Sequence, residues 1–210
     1  TTLDPITQTR VQNSFRETVS RLANANPSRL KDLQGAVLVA RPENGELIAA
    51  VGSTQDFTGF NRTLDAKRQV GSLLKPVIYL SALESGRYNW ATQIEDAPIS
   101  LPIDGNKTWT PKNYSGSSYG YVPLVQALAN SYNLSAVRLG NEFGISTFSN
   151  NLTKFGVTSK IPNYPSIFLG AVDMSPMEML SIYGNFATGG FKYPNKAIRT
   201  VVDSNGRLLE

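Results

Sequence analysis

The sequence predicts an α/β protein of the α+β kind, in which a β-hairpin is followed by a series of helices. Two apolar runs, residues 35–40 and 46–51, flank Asn44 and Gly45, which are expected to take the positive φ angles of a tight hairpin turn. After residue 71 the apolar residues recur at helical spacing instead. A chain of 210 residues, 40% of them hydrophobic, is long enough to bury a substantial core.

The remaining elements follow from apolar periodicity and from the Pro and Gly residues that interrupt it. Helical spacing from Leu3 to Leu22 predicts a helix before the hairpin, and residues 72–86 predict a second helix that ends at Gly86. The Pro- and aromatic-rich residues 88–122 are expected to form a long ordered loop. Four further helices and the start of another hairpin are predicted at residues 123–129, 133–140, 147–155, 176–187 and 198–209, in that order.

The composition excludes several kinds of chemistry. The chain has no Cys and no His, which rules out disulfides, zinc sites of the Cys type, His-ligated metals and a Ser-His-Asp triad within this chain. We therefore expect no cofactor and no metal, and any acyl transfer must depend on Ser, Thr, Lys, Tyr or carboxylates.

Charge and hydropathy bear on the partners of the chain. The net charge of +4 is spread along the sequence, and Lys67 and Arg68 form its one adjacent basic pair, so we expect no nucleic-acid partner. The longest apolar stretches fall far short of the roughly 20 residues of a membrane helix. Membrane attachment is therefore expected only through a segment outside this chain.

The local pattern that best predicts chemistry is Ser72-Leu-Leu-Lys75-Pro76, preceded by Gly71. Because Pro76 is tolerated only in a first helical turn, the helix must begin close to Ser72, and Lys75 then lies one turn away on the same face. The apolar neighbours of Lys75 predict a partly dry environment, which disfavours its charged form. A neutral amine at that place is a candidate general base for a serine nucleophile.

Alternatives exist for each motif. The same spacing at Ser28 and Lys31 lies in a polar segment and is interpreted as surface. Ser131-Tyr132-Asn133 falls between two predicted helices, where its polar side chains either face a cleft or cap the following helix. A second Ser-x-Asn at residues 149–151 lies inside a helical pattern and is discarded.

With these residues identified, the chain resembles the transpeptidase domain of the bifunctional (class A) penicillin-binding proteins, whose family combines S-x-x-K, S-x-N and K-T-G elements. The segments that carry the likeness run nearly from end to end and follow the family's order. They are residues 1–5, 35–40, 44–45, 60–62, 71–72, 109–114, 125–133, 169–170 and 175–178.

The resemblance implies a central antiparallel sheet flanked by helices, with a mainly helical lobe and only part of the sheet present in this chain. Residues 1–34 would be a lead-in from the junction with a preceding domain, and residues 35–210 the N-terminal portion of the transpeptidase domain. No K-T-G occurs, since Lys107 and Thr108 are followed by Trp109. That element is expected in a C-terminal remainder of the same protein.

The resemblance also implies a peptidoglycan D,D-transpeptidase. Ser72 would be the acylated nucleophile, Lys75 its proton acceptor and Ser131 a proton relay, and Asn133 would bind the substrate amide and orient Lys75. The partners implied are peptidoglycan stem peptides and, as covalent inhibitors, β-lactams. The full-length protein would also be a glycosyltransferase and would act in the periplasm or on the outer face of the bacterial cytoplasmic membrane.

Three other functions are compared with this one. A class A β-lactamase should carry an E-x-x-L-N loop, and no Glu of this chain is followed by that pattern. A D,D-carboxypeptidase, which hydrolyses the acyl-enzyme, and a β-lactam-binding sensor or inactive scaffold of the same fold remain open.

Overall fold

The computed structural model describes residues 1–54, 59–103 and 105–209. The chain divides into two compact units, Thr1–Lys67 with Met174–Glu210 and Arg68–Asp173. The boundary predicted from the sequence, between a lead-in over residues 1–34 and a domain portion over residues 35–210, stays a prediction. In chain order the elements are α1 (Pro5–Ala25), α2 (Pro27–Leu30), β1 (Val37–Ala40), β2 (Leu47–Val51), β3 (Arg68–Gln69), a 3-10 turn (Gly71–Leu74), α3 (Lys75–Glu84), β4 (Gln93–Asp96), β5 (Leu101–Ile103), β6 (Lys107–Trp109), β7 (Gly120–Pro123), α4 (Leu124–Ala129), α5 (Asn133–Phe143), α6 (Ile145–Lys154), a second 3-10 turn (Pro165–Leu169), β8 (Asp173–Met174) and α7 (Pro176–Ala187).

In the first unit, β1 and β2 pair antiparallel, with Val37 opposite Val51, which confirms the predicted hairpin. The expectation for its turn is wrong at one residue, because only Gly45 has a positive φ angle, +71°, and Asn44 does not. The connection is longer than a two-residue turn and needs a single left-handed residue at its end. Asn44 contributes through its side chain instead, since its Oδ1 accepts a hydrogen bond of 3.0 Å from the N–H of Glu46.

Helices cover the hairpin of the first unit. The predicted first helix is confirmed as α1, which begins after the capping residue Asp4 and packs on β2. The predicted last helix is confirmed as α7, which packs on β1 and begins with a capping box between Ser175 and Glu178. The hairpin predicted at residues 198–209 forms only a single antiparallel bridge, Val202 with Leu208, within the described part of that segment.

The second unit is mainly helical. Its helix α3 packs against α4, α5 and α6, and α5 also packs against the second 3-10 turn. The helices predicted at residues 72–86, 123–129, 133–140 and 147–155 are all confirmed, with ends that shift by a few residues. Among the helices of the described residues, none is both long and apolar enough to cross a membrane.

The long loop predicted at residues 88–122 is wrong, because this segment contains β4, β5, β6 and β7. Strand β4 pairs antiparallel with β7, and β5 pairs with β6. Each strand is only three or four residues long, and β4 pairs with a strand more than 20 residues away in the chain. Segments this short do not establish a period-two alternation that sequence analysis can detect.

Candidate active site

The 3-10 turn Gly71–Leu74 places Ser72 immediately before α3. The side chain of Ser72 is exposed, and its carbonyl oxygen accepts a hydrogen bond from the backbone N–H of Lys75. Pro76 occupies the first turn of α3, where the missing N–H costs no helical hydrogen bond. The predicted helix start is therefore confirmed, with the difference that its first turn has the tighter 3-10 geometry.

Two backbone hydrogen bonds hold the chain just before Ser72. The N–H of Gly71 donates to the carbonyl of Gly170 at 3.1 Å, and the N–H of Val70 donates to the carbonyl of Val172 at 3.3 Å. Gly170 has a φ angle of +75°, and a Cβ atom there would lie 2.0 Å from the carbonyl oxygen of Gly71. Only glycine fits this close approach, so Gly170 helps to fix the position of the turn that carries Ser72.

Lys75 is almost completely buried, with 1% of its surface exposed. Its Nζ lies 2.5 Å from the carbonyl oxygen of Ser131, 3.0 Å from Oγ of Ser131 and 2.6 Å from Oδ1 of Asn133. An ammonium group has three N–H donors, and each of these three oxygens can accept one of them. The structure thus brings together Lys75, Ser131 and Asn133, which are 56 and 58 residues apart in sequence.

Burial lowers the pKa of Lys75 from 10.5 to about 8, and the negative charge of Asp96 partly opposes this shift. With a pKa near 8, about a tenth of the amine is neutral at pH 7, far more than at the ordinary value of 10.5. Tyr79, one turn further along α3, is a poor alternative base. Its fully buried hydroxyl has no hydrogen-bond partner among the described residues, and burial raises its pKa above the ordinary value of 10.

The segment 131–133 joins α4 to α5 and is held in an unusual conformation. Ser131 has a φ angle of +54°, which is uncommon for a residue other than glycine. The capping alternative for this segment is wrong, since the residue at the N-cap of α5 is Tyr132 and no side-chain capping bond forms there. Ser131 is exposed and Asn133 is half-buried.

The side-chain amide of Asn133 is fixed at both ends. Its Oδ1 accepts from Lys75, and its Nδ2 donates to the carbonyl of Lys112 at 2.8 Å. Because Nζ of Lys75 is a donor, the oxygen of the amide must face it. The backbone N–H of Asn133 donates to Oδ1 of Asn113 at 2.6 Å.

The two other motif matches lie where the sequence predicts them, one on the surface and one inside a helix. Ser28 and Lys31 are exposed. Residues 149–151 lie within α6.

Sequence reasoning missed two residues next to this site, Asp96 and Asn113. Asp96 is fully buried, and its carboxylate accepts four hydrogen bonds, one of them from Asn113. The one available signal was that Asn113 falls within residues 109–114, a segment that carries the family likeness. No pattern in the sequence marks Asp96.

A serine at a helix start, a buried lysine one turn later and a Ser-x-Asn segment in contact with that lysine are the arrangement of the active-site-serine proteins that react with penicillin. A family model for the penicillin binding protein transpeptidase domain matches residues 35–207. The chain belongs to this family.

Among curated relatives, the chain is 38% identical to penicillin-binding protein 1B of Vibrio cholerae over all of its own length and 27% of that protein. It is 35% identical to penicillin-binding protein 1B of Escherichia coli, again over its whole length and over 25% of that protein. The chain thus spans about a quarter of the length of these curated relatives.

Solved structures give the same fold. Penicillin-binding protein 1A from Haemophilus influenzae superposes with a TM-score of 0.77 at 32% identity, over 84% of this chain and 27% of that one. The PonA1 protein from Mycobacterium tuberculosis in complex with penicillin V gives a TM-score of 0.77 at 25% identity, over all of this chain and 56% of that one. The predicted penicillin-binding-protein transpeptidase fold, with part of its sheet present, is confirmed.

Proposed function

We propose that this chain provides the acylation site of a peptidoglycan D,D-transpeptidase, with Ser72 as the nucleophile. Ser72 attacks the carbonyl carbon between the two D-Ala residues of a stem peptide and forms an ester, and the terminal D-Ala leaves as an amine. The amine of a neighbouring stem then attacks the ester, which forms the cross-link and frees Ser72. A β-lactam acylates the same serine through its strained amide and stays bound.

The observation that supports this proposal most strongly is the environment of Lys75. Only 1% of the surface of this lysine is exposed, and its Nζ contacts both Ser131 and Asn133. Burying a lysine in this way lowers the stability of the folded domain, so folding alone does not explain it. Its pKa of about 8 suits a general base that works near neutral pH. Because the chain contains no histidine, no imidazole from within this chain competes for the role.

The contacts of Lys75 suggest a route for the proton. When Nζ is neutral it has two N–H donors, which can remain on the carbonyl of Ser131 and on Oδ1 of Asn133. Its lone pair then accepts a proton from the Ser72 hydroxyl as Oγ attacks. Oγ of Ser131, 3.0 Å from Nζ, can accept from the resulting ammonium while its own proton passes to the leaving amine.

The 3-10 turn at Ser72 supports stabilisation of the developing oxyanion. Backbone N–H groups at the start of a helix lack intrahelical partners and lie at the positive end of the helix dipole. Such donors stabilise an oxyanion because they are oriented before the reaction begins. The K-T-G element of the family, which this chain does not contain, would complete this part of the site.

The whole protein is proposed to be a class A enzyme with a glycosyltransferase domain as well. It is proposed to act at the periplasmic or outer face of the bacterial cytoplasmic membrane, with peptidoglycan stem peptides and β-lactams as ligands and a C-terminal remainder of the same protein as structural partner. This rests on relatives named penicillin-binding protein 1A and 1B, which are several times longer than this chain.

The acylation site is tested by intact-mass analysis of the full-length protein after exposure to a β-lactam. We expect one adduct in the wild-type protein and none in Ser72→Ala. Ser28→Ala is the matched control, because it removes the serine of the exposed second S-x-x-K and should leave the adduct unchanged. An undiminished adduct in Ser72→Ala would exclude Ser72 as the nucleophile.

Acylation alone does not distinguish a transpeptidase from a β-lactam-binding sensor or a D,D-carboxypeptidase. Supplying lipid-linked peptidoglycan precursors does, since the transpeptidase forms cross-linked dimers that are lost in Ser72→Ala. A carboxypeptidase releases D-Ala without dimers, and a sensor does neither.

A further inference from the structure

We propose that Asn113 is a positioning residue for acylation, because its side-chain amide connects the buried Asp96 carboxylate to the backbone of Asn133 and so sets where Asn133 meets Lys75. This inference rests on the proposed function of Ser72 and Lys75. It assigns a role to Asn113 and Asp96, two residues outside the S-x-x-K and S-x-N motifs.

Asp96 is the fixed point of this arrangement. It is 0% exposed, and each of its carboxylate oxygens accepts two hydrogen bonds. Oδ1 accepts from the N–H and the hydroxyl of Ser135, at 3.2 and 3.0 Å, and Oδ2 accepts from Asn113 at 2.7 Å and from the N–H of Tyr119 at 3.1 Å. A carboxylate with this many donors is a rigid anchor, since moving it would leave several buried groups unpaired.

Arg138, on α5, holds the backbone on both sides of Asp96. Its Nε donates to the carbonyl of Glu95 at 3.1 Å and its guanidinium donates to the carbonyl of Ala97 at 3.2 Å. The same guanidinium lies 3.1 Å from the carboxylate of Glu95. Since Ser135 and Arg138 both belong to α5, the anchor is attached to the helix that begins at Asn133.

Asn113 transmits this position to the catalytic segment. Its Nδ2 donates to Asp96 and, at 2.9 Å, to the carbonyl of Ser117. Its Oδ1 accepts from the N–H groups of Asn133 at 2.6 Å and Leu134 at 3.2 Å, which are the first two N–H groups of α5. Asn113 therefore caps this helix from a different segment of the chain.

The residue just before Asn113 in the chain, Lys112, secures the side chain of Asn133. The carbonyl of Lys112 accepts from Nδ2 of Asn133 at 2.8 Å, while Oδ1 of Asn133 accepts from Nζ of Lys75 at 2.6 Å. Residues 112 and 113 thus fix both the backbone and the side chain of Asn133. Loss of Asn113 should let Asn133 and the Lys75 amine move away from their productive geometry.

Position 113 requires an amide side chain. It needs a donor toward Asp96 and an acceptor toward α5, and an amide side chain supplies both. Asn113→Asp keeps an acceptor but places a second carboxylate beside that of Asp96. Asn113→Ala removes both functions and leaves buried N–H groups unpaired.

The test measures β-lactam acylation of the full-length protein as a function of β-lactam concentration. In Asn113→Ala we expect the maximal acylation rate to fall by at least about 10-fold, toward the roughly 100-fold loss that a misplacement of about 1 Å can cause. The half-saturating concentration should change little, because the inference concerns positioning rather than β-lactam binding. Asn113→Asp should lose at least as much.

The matched control is Asn151→Ala, which removes another partly buried asparagine hydrogen bond, Nδ2 to Oγ of Ser81 at 2.8 Å, whose two residues are not among the hydrogen-bond partners of Lys75 described above. It should acylate within about twofold of the wild type and lose less thermal stability than Asn113→Ala, because it breaks one such hydrogen bond where Asn113→Ala breaks four. A second readout, hydrogen–deuterium exchange of the peptide over residues 131–136, does not require activity. Exchange at Asn133 and Leu134 should be faster in Asn113→Ala and unchanged in Asn151→Ala.

The outcomes separate this inference from the proposed function. If the wild type forms no adduct on Ser72, the proposed function fails, and faster exchange in Asn113→Ala would still support the positional link. If the wild type is acylated and Asn113→Ala is acylated at a similar maximal rate, the positioning role is wrong. Unchanged exchange in Asn113→Ala would also overturn it.

Discussion

The state of the Lys75 amine should control the pH dependence of acylation. If only the neutral amine accepts the proton of Ser72, the rate should follow the neutral fraction. With a pKa of about 8, that fraction is about 9% at pH 7, about 50% at pH 8 and about 91% at pH 9. The acylation rate should therefore rise about tenfold from pH 7 to pH 9 and then level off.

An unburied lysine would behave differently. With the ordinary pKa of 10.5, the neutral fraction would rise about 100-fold between pH 7 and pH 9 without a plateau. The height and the curvature of the profile therefore report the desolvation of Lys75 directly. Asp96 is the charged group that opposes this shift, so its negative charge keeps the midpoint from lying still lower.

The assay is rapid-quench labelling with a fluorescent penicillin between pH 6 and pH 10, corrected for the Ser72→Ala protein. Lys75→Arg should abolish labelling at every pH, because a guanidinium does not deprotonate in proteins. Lys107→Arg, at an exposed position in β6, should keep the wild-type profile. A flat profile from pH 7 to pH 9, or a midpoint near 10.5, would refute the base role derived from burial.

Two further predictions concern stability and backbone geometry. Between pH 8 and pH 10.5 the unfolded protein binds more protons at Lys75 than the folded protein does. The free energy of unfolding, measured in denaturant, should therefore rise by about 3 kcal/mol over this pH range. The rise should be missing in Lys75→Met. An equal rise in both proteins would show that Lys75 is not desolvated. Gly170→Ala should destabilise the protein by on the order of 2 kcal/mol or more and lower acylation sharply. The control is Gly86→Ala, because Gly86 has a φ angle of +70° but no atom within 4 Å of the position that a Cβ would take. It should lower the free energy of unfolding by about 1 kcal/mol and leave acylation unchanged. Similar losses in the two variants would refute the clash between residue 170 and Gly71.

The parts of the site that could be predicted from sequence are those fixed by local rules. Gly71, Pro76 and the three-residue spacing determine where α3 begins and that Lys75 lies one turn from Ser72. The apolar neighbours of Lys75 indicate a dry environment, which agrees with its exposure of 1%. Local rules did not establish that Lys75 contacts Ser131 and Asn133, since those contacts span more than 50 residues.

The parts that could not be predicted depend on long-range pairing of polar groups. Asp96 is the last residue of the short strand β4 in a proline-rich segment, where a carboxylate is ordinarily exposed. Its burial becomes favourable only when Ser135, Asn113 and Tyr119 supply donors from three other places in the chain. The same holds for Gly170, whose requirement for glycine arises from the carbonyl of Gly71 almost 100 residues earlier.

Three departures from ordinary folding preferences occur at the candidate site in the second unit, although they are far apart in the sequence. Lys75 is buried, Ser131 has a positive φ angle, and Gly170 admits no side chain against Gly71. Each carries a cost in stability, and each fixes a group that the proposed chemistry needs: the base, the proton relay and the turn that carries the nucleophile. A domain selected for folding alone would replace a buried lysine with an apolar residue. The burial that lowers the stability of the folded state is also what lowers the pKa of Lys75, so the cost and the proposed catalytic property have one physical origin.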